Sequence, residues 1–423
     1  MPERVIIVGA GHAAAQLAPS LRKQGWEGEI VIIGDESYIP YQRPPLSKEF
    51  MSGEKDEEDI LIRPEAAYEK HGIELRLNHA VVAINSVDSA LVLDNGERLA
   101  YDKLALCTGA RARKINLPGS ELDGVCYLRT LDDVKNIKHY LDVTASHDVW
   151  RSAAPSPRAV IVGGGYIGLE TAAVLINMGV NVTVLEMQER VLARVTALEV
   201  SEFYQRVHAE EGVSILTNMV VSHIEGGHQD SDKYPLKVCC DNGEYFDADL
   251  VIVGVGVIPN VELAEAAGLA VENGITVDEF AFTSDTNIVA VGDCANHPNG
   301  LLGRRLRLES VPNAVEQAKS AAASLCGLKL PYISYPWFWS DQYDLKLQIA
   351  GLNQGFDQVI IRGDREGSRS FVAWYLKQGQ LLAADCINRP KEFLVAKQLL
   401  SREITVDPVK LVDDSIDPKI FLQ

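Results

Sequence analysis

The chain is poor in the features that mark several large protein classes. Its seven cysteines are scattered and odd in number, and none is spaced Cys-x-x-Cys. This argues against a disulfide framework and fits a reducing compartment. Positive charge is scarce: 40 Lys and Arg stand against 59 Asp and Glu, a net charge of −19. A duplex would be repelled by such a surface, so general nucleic-acid binding is excluded as the main role. No apolar run approaches the roughly 20 residues that span a bilayer. Nor does a basic start lead into an apolar stretch, so no secretory leader is expected and the protein reads as cytoplasmic. There is no four-cysteine iron–sulfur spacing and no metal site is expected. The adjacent Cys239 and Cys240 read as strand neighbours facing opposite ways.

What is present is one pattern written twice in a chain of 423 residues that is 47% apolar, enough for two or three packed domains. Residues 4–14, "RVIIVGAGHAA", give a strand, the turn Gly9-x-Gly11-x-x-Ala14 and the start of a helix reaching about Gly25. The next apolar run, "EIVIIGD", ends in Asp35, 26 residues after Gly9. Residues 158–170, "RAVIVGGGYIGLE", repeat the unit with Gly163, Gly165 and Gly168, and "NVTVLE" ends in Glu186, 23 residues after Gly163. Glycines let a backbone approach a pyrophosphate at a helix N-terminus, and an acid ending the following strand accepts ribose hydroxyls. Two nucleotide sites are therefore expected, 154 residues apart (163 − 9). Downstream, "YDKLALCTGARARK" and "FDADLVIVGVGVIPN" read as paired strands ending near Gly109 and Gly256, and "TSDTNIVAVGDCA" carries Gly292 and Asp293 to the end of another buried strand. Asp293 would face the ligand crevice of an open α/β sheet. The segment "GEKDEED" (53–59) and residues 143–157 read as solvated turns or loops.

With these motifs in hand, the chain resembles the two-dinucleotide-domain flavoproteins, and among them the NADH-dependent ferredoxin and rubredoxin reductases of bacterial oxygenase systems. The likeness is carried, in the family's order, by "VIIVGAGHAA", "PYQRPPLSKEF", "CTGARAR", "YLRTLDD", "VIVGGGYIGLE", "VGDCA", "RLESVPNAVEQAKSAA" and "PWFWSDQYDLKLQIAG", from residue 4 to about 390. It implies an α/β fold with two Rossmann-like, glutathione-reductase-like domains and a C-terminal α+β domain with an antiparallel sheet. The implied boundaries are 1–110 with 247–330 for FAD, 111–246 for NAD, and 331–423 over the flavin.

The resemblance also implies FAD on the first turn and NADH on the second. FAD contacts are expected from Gly9, Gly11, Ala13, Ala14, Asp35, Arg43, Pro45, Lys48, Val81, Val82, Thr108, Gly109, Arg129, Gly292, Asp293, Glu309, Ser310 and Val311. His12 stands where the family often has an apolar residue; it is expected near the pyrophosphate, with no chemistry assigned. Pro312 suits the first turn of a helix, whose N-terminus would favour the anion of the reduced ring. Lys48 is expected at the flavin edge, paired with Glu170, since a buried lysine needs a partner. Tyr166 is expected over the ring face until nicotinamide displaces it. Ile167, Gly168 and Gly256 would line the coenzyme side. Glu186 favours NADH over NADPH, because a carboxylate repels the extra phosphate, whereas Arg190 leaves NADPH open. Trp337 and Trp339 are candidates to touch FAD.

The implied acceptor is a [2Fe–2S] ferredoxin, or rubredoxin, serving an oxygenase such as a cytochrome P450 or ring hydroxylase. The basic run Arg304, Arg305 and Arg307 is the candidate docking patch, and a monomer is expected. Disulfide reductases and NADH peroxidases of this scaffold need a cysteine in the stretch occupied here by "SYIPYQRPPLSKEF", which has none. The alternatives are an interaction protein like apoptosis-inducing factor, against which the acidic charge argues, or a reductase of another small acceptor.

Overall fold

The computed structural model describes residues 3–146, 156–226 and 236–423. The chain divides into two compact units. The first comprises Met1–Gln42, Glu57–Arg111 and Val257–Phe338. Its central sheet is parallel, in the order Ile288–Ala290, Lys103–Leu106, Arg4–Val8, Glu29–Ile33, Ile73–Arg76. Arg4–Val8 pairs with Glu29–Ile33 on one side and Lys103–Leu106 on the other. Its apolar run is continuous because both faces are covered, as parallel sheets require. Val5 and Ile7 pack with Leu17 and Leu21 of the helix His12–Lys23 and with Ala318 and Ala322 of the helix Val311–Leu325. Ile6 and Val8 face the opposite core with Leu91, Leu93 and Leu269.

The second unit comprises Arg43–Asp56, Ala112–Gly256 and Trp339–Gln423. Its parallel sheet runs Ser214–Thr217, Asn181–Glu186, Arg158–Val162, Leu250–Val253, Val125–Tyr127. The helix Tyr166–Asn177 follows the central strand. An antiparallel sheet is ordered Trp337–Gln342, Leu345–Gly351, Gln380–Ile387, Ser370–Lys377, Gln358–Asp364, and the helix Pro390–Ser401 follows it. One apolar core joins Leu169, Val200 and Tyr204 to Leu347, Phe371 and Ile387 of that sheet. The two parallel sheets and the C-terminal antiparallel sheet match the expected fold class.

Residues 53–59 are turns, as expected. The loop expected over 143–157 needs correction: the helix Leu131–Ser146 runs through its first four residues, while 147–155 lie outside the described residues. Cys239 is half-buried and Cys240 buried on the strand Leu236–Cys240, so they do face opposite ways.

Candidate active site

At the first turn, Gly9 has φ +104°, and a Cβ there would lie 2.2 Å from the carbonyl oxygen of Cys107. Only glycine satisfies both the torsion and the close approach. Gly11 is the opposite case. It precedes the helix His12–Lys23, a Cβ on it would meet nothing within 4 Å, and no side chain caps the helix. The N–H groups of that first turn therefore border an open cradle, which fits a nucleotide pyrophosphate. Ala13 and Ala14 are buried behind the cradle and His12 is half-buried at its start. Asp35 is exposed after the second strand, while its neighbour Glu36 accepts the Tyr41 hydroxyl at 2.5 Å. Val82 is 55% exposed and lies at a register shift between Val81 and Ala83.

Elsewhere in this unit, Thr108 Oγ1 donates to the Asn260 carbonyl at 2.7 Å and the Asn260 amide donates back to Thr108 O at 2.8 Å. They brace Gly109, which has φ +63°. The Gly292 N–H donates to Gln317 Oε1, and Gln317 Nε2 meets His297 Nδ1, each at 2.8 Å. Burial, with Arg305 adding to it, pushes the His297 imidazole down to about 4. Arg307 donates to the Asp293 carbonyl at 3.1 Å and pairs with Glu309 at 2.7 Å. Ser310 caps the helix Val311–Leu325 by accepting the Asn313 N–H, and Pro312 lies in its first turn as expected.

The second turn repeats the design under tighter constraint. Gly163 has φ +113° with a Cβ position 2.5 Å from Gly254 O, and Gly168 would place one 2.1 Å from Gly163 O. Gly165 again opens onto free space at an uncapped helix start. Glu186 is held on both oxygens, by the Gly164 N–H at 2.6 Å and the Gln188 N–H at 2.8 Å. Arg190 is tied down: it donates to Thr196 O, Ser201 Oγ and Ala193 O. Ile167 is exposed, and Gly256 keeps φ +100°. Tyr166 has a half-buried ring; burial and then Asp385 hold its phenol well above its ordinary range.

The same unit brings Lys48 and Glu170 together. Pro44 and Pro45 start the short helix Pro44–Ser47, which delivers Lys48. Its Nζ lies 2.6 Å from Glu170 Oε2, with side chains only 13% and 3% exposed. Ser47 Oγ donates to the same oxygen at 2.6 Å, and Ser340 Oγ donates to Oε1 at 2.6 Å. Nearby, Arg43 donates to Arg129 O at 2.7 Å, and the Arg129 N–H donates to Asp133 at 2.8 Å. Trp339 is half-buried. The expected residues thus separate by unit: Arg43, Pro45, Lys48, Arg129 and Trp339 belong to the second, while both ends of the first turn, Asp293, Val311 and Trp337 belong to the first. Ser47 and Ser340 were not anticipated. Among the described residues His223, Glu225 and Cys239 form one further donor group, with the Lys237 ammonium 4.0 Å from Glu225.

Two strand–glycine–helix cradles and a buried Lys–Glu pair define an oxidoreductase that handles two nucleotides. Residues 3–318 match the pyridine nucleotide-disulphide oxidoreductase family, and residues 337–422 match the reductase C-terminal domain. The chain belongs to this family, which uses flavin and NAD(P). It is 42% identical to putidaredoxin reductase of Pseudomonas putida over 420 residues, covering 99% of this chain and 96% of that one. It is 40% identical to a rubredoxin-NAD(+) reductase of Pseudomonas putida, covering 92% and 96%. A solved covalent complex of putidaredoxin reductase with putidaredoxin superposes with a TM-score of 0.92 at 42% identity, over 99% of this chain and 98% of that one. Among the described residues no helix is long and apolar enough to cross a membrane.

Proposed function

We propose that the protein is a cytoplasmic, monomeric NADH:ferredoxin reductase that holds FAD on the Gly9–Ala14 turn and takes NADH on the Gly163–Gly168 turn. The division is 1–110 with 247–330 for FAD, 111–246 for NAD and 331–423 as the C-terminal domain. The observation that carries the reading is the pair of open glycine cradles, each followed by an acid at the end of the next strand. Bound flavin supplies what no side chain can, the conversion of a two-electron hydride into single-electron deliveries to an iron–sulfur partner.

The chain's own residues bind and orient. The first-turn N–H groups beyond Gly11 and Gly165 hold the two pyrophosphates. Asp35 and Glu186 accept ribose hydroxyls, and the fixed Glu186 carboxylate turns away a 2′-phosphate; Arg190 keeps its charge but is restrained by bonds to three neutral acceptors. Lys48, neutralised by Glu170, is an oriented positive group at the reacting edge and need not transfer a proton. Tyr166 covers the reacting face. The N-terminus of Val311–Leu325, with Glu309 and Ser310 before it, faces developing negative charge. In the first unit Val81, Val82, Thr108, Gly109 and Asp293 are the further flavin contacts that the family resemblance supports, and in the second unit Arg43, Pro45, Arg129 and Trp339 are. A [2Fe–2S] ferredoxin serving an oxygenase docks at the basic run. Arg307 is turned inward, with a side chain 12% exposed, and Arg305 also donates inward, to the Val277 and Asn296 carbonyls, so exposed Arg304 leads the docking charge.

The test is NADH-dependent cytochrome c reduction with and without added [2Fe–2S] ferredoxins. Turnover that requires a ferredoxin is expected. A yellow protein that bleaches with NADH yet passes nothing onward through any of them overturns the reading.

A further inference from the structure

The segment "PWFWSDQ" (336–342) holds Trp337 and Trp339, but its inward face is polar: Ser340 and Gln342 are 0% and 2% exposed on the strand Trp337–Gln342. Polar groups are rarely left in such a position without partners. Ser340 Oγ meets Glu170 Oε1 at 2.6 Å, Gln342 Nε2 meets Ser340 Oγ at 3.2 Å, Gln342 Oε1 meets His208 Nε2 at 2.8 Å, and His208 Nδ1 meets Tyr343 Oη at 2.9 Å. His208 is itself 0% exposed, on the helix Leu198–Glu210.

The ion pair at one end fixes every proton along this row. Glu170 is the counterion of Lys48, so its oxygens can only accept, and the single Ser340 hydrogen must point at it. Ser340 Oγ can then only accept, which turns the Gln342 amide so that its N–H₂ faces Ser340 and its carbonyl faces His208. That carbonyl needs a donor, so His208 carries its hydrogen on Nε2, leaving Nδ1 to accept from Tyr343. Four donors therefore point the same way, toward Glu170, and each polarises the next. Burial pushes the His208 imidazole down to about 4, so at neutral pH it is the uncharged link this order requires.

We propose that Ser340, Gln342 and His208 are positioning residues for hydride transfer: together they hold Glu170 Oε1 so that Oε2 stays with Ser47 and Lys48 and the lysine ammonium keeps one orientation. All three are buried, at 0%, 2% and 0% exposure, and act through Glu170. The amide in the row makes it a poor proton conductor, so its role is orientation rather than proton delivery. The inference rests on the proposed role of Lys48.

The decisive measurement is a double-mutant cycle on the flavin-loaded enzyme, read as the limiting rate of flavin bleaching after rapid mixing with NADH. Ser340→Ala should slow bleaching about tenfold and His208→Leu about threefold, with NADH affinity within twofold of wild type. Because His208 acts through Ser340, the double variant should be no slower than Ser340→Ala alone. Losses that multiply, or two single variants at the wild-type rate, overturn the proposal. Lys48→Met separates the two ideas: if it bleaches normally, the role assigned to Lys48 falls and this inference with it; if it is slow while Ser340→Ala is not, only the inference falls. A readout independent of turnover is ¹⁵N NMR of the histidine side chains at neutral pH. His208 is expected as the neutral Nε2–H form, with Gln342→Leu shifting that nitrogen. A charged ring, which breaks the row at Tyr343, or the Nδ1–H form, which reverses it, overturns the proposal, even where a variant is too unstable for kinetics.

Discussion

The two glycine turns share a plan but differ in how firmly they are set. At the first, Asp35 is exposed and makes no hydrogen bond among the described residues, and the third position of the fingerprint is Ala14. At the second, Glu186 is locked by two backbone N–H groups, and the third position must be Gly168, whose Cα abuts the Gly163 carbonyl. A site whose ligand stays bound can let that ligand organise the acid. One whose ligand comes and goes at each turnover gains from an acid already in place, because less order has to be imposed on binding.

Substitutions can break this contrast. The largest effect is expected from Gly9→Ala, where the side chain collides with the Cys107 backbone and the torsion is wrong. A loss of about 4 kcal/mol or more is expected, with the protein isolated colourless. Gly11→Ala, which meets no atom, should fold normally and lose only flavin affinity; equal melting temperatures for the two variants would show that the turn is not constrained as described. Next is Lys48→Met, which strands a buried carboxylate and should cost about 3 kcal/mol in denaturant unfolding. Lys48→Met with Glu170→Gln should recover most of it, and failure to recover would mean that packing rather than charge is lost.

A smaller effect bears on the locked acid itself. Glu186→Arg should raise the KM for NADH at least tenfold, about 1.4 kcal/mol, and lower that for NADPH; unchanged coenzyme preference would remove the distinction drawn between the two turns. Reversing Arg304 to Glu should raise the KM for ferredoxin about threefold and weaken its salt dependence, while direct reduction of ferricyanide is unaffected.

The smallest effect concerns pH. His297 in the first unit and His208 in the second are both held at about 4 in the folded state. Their unfolded forms take up protons first, so each withdraws stability as pH falls from about 6.5 toward 4. Asp385, 1% exposed in the second unit, is pushed up to about 6 by burial, against the donations of Thr196 and Tyr375. Its folded form binds the proton first, so it returns stability as pH falls through 6. Asp385→Asn should therefore raise stability by about 1 kcal/mol at pH 7 and steepen the acid loss between pH 6 and 4. Denaturant midpoints that shift equally at every pH would contradict this.

The glycine turns, their buried strands and the closing acids were legible because each is a local pattern whose torsions and spacing leave a mark in sequence. Pro312 and the alternating C-terminal strands were legible for the same reason. The polar groups around Glu170 were not, since Ser47 and Ser340 reach it from 123 and 170 residues away, and a lone serine carries no local sign of its partner. Arg305 and Arg307 read in sequence as a solvated basic run, and only the fold shows them donating to the carbonyls of Val277, Asn296 and Asp293.

The chain passes between its two units at residues 42/43, 56/57, 111/112, 256/257 and 338/339. During synthesis the first sheet therefore waits for its edge strand, Ile288–Ala290, until well after the second glycine turn has left the ribosome. The first nucleotide cradle does not mature as an early, self-sufficient product of translation, whereas every strand of the second parallel sheet lies between residues 125 and 253. A nascent chain arrested before residue 288 should remain protease-sensitive around the first turn, and truncation from the C-terminus should be tolerated far less well than the order of motifs implies.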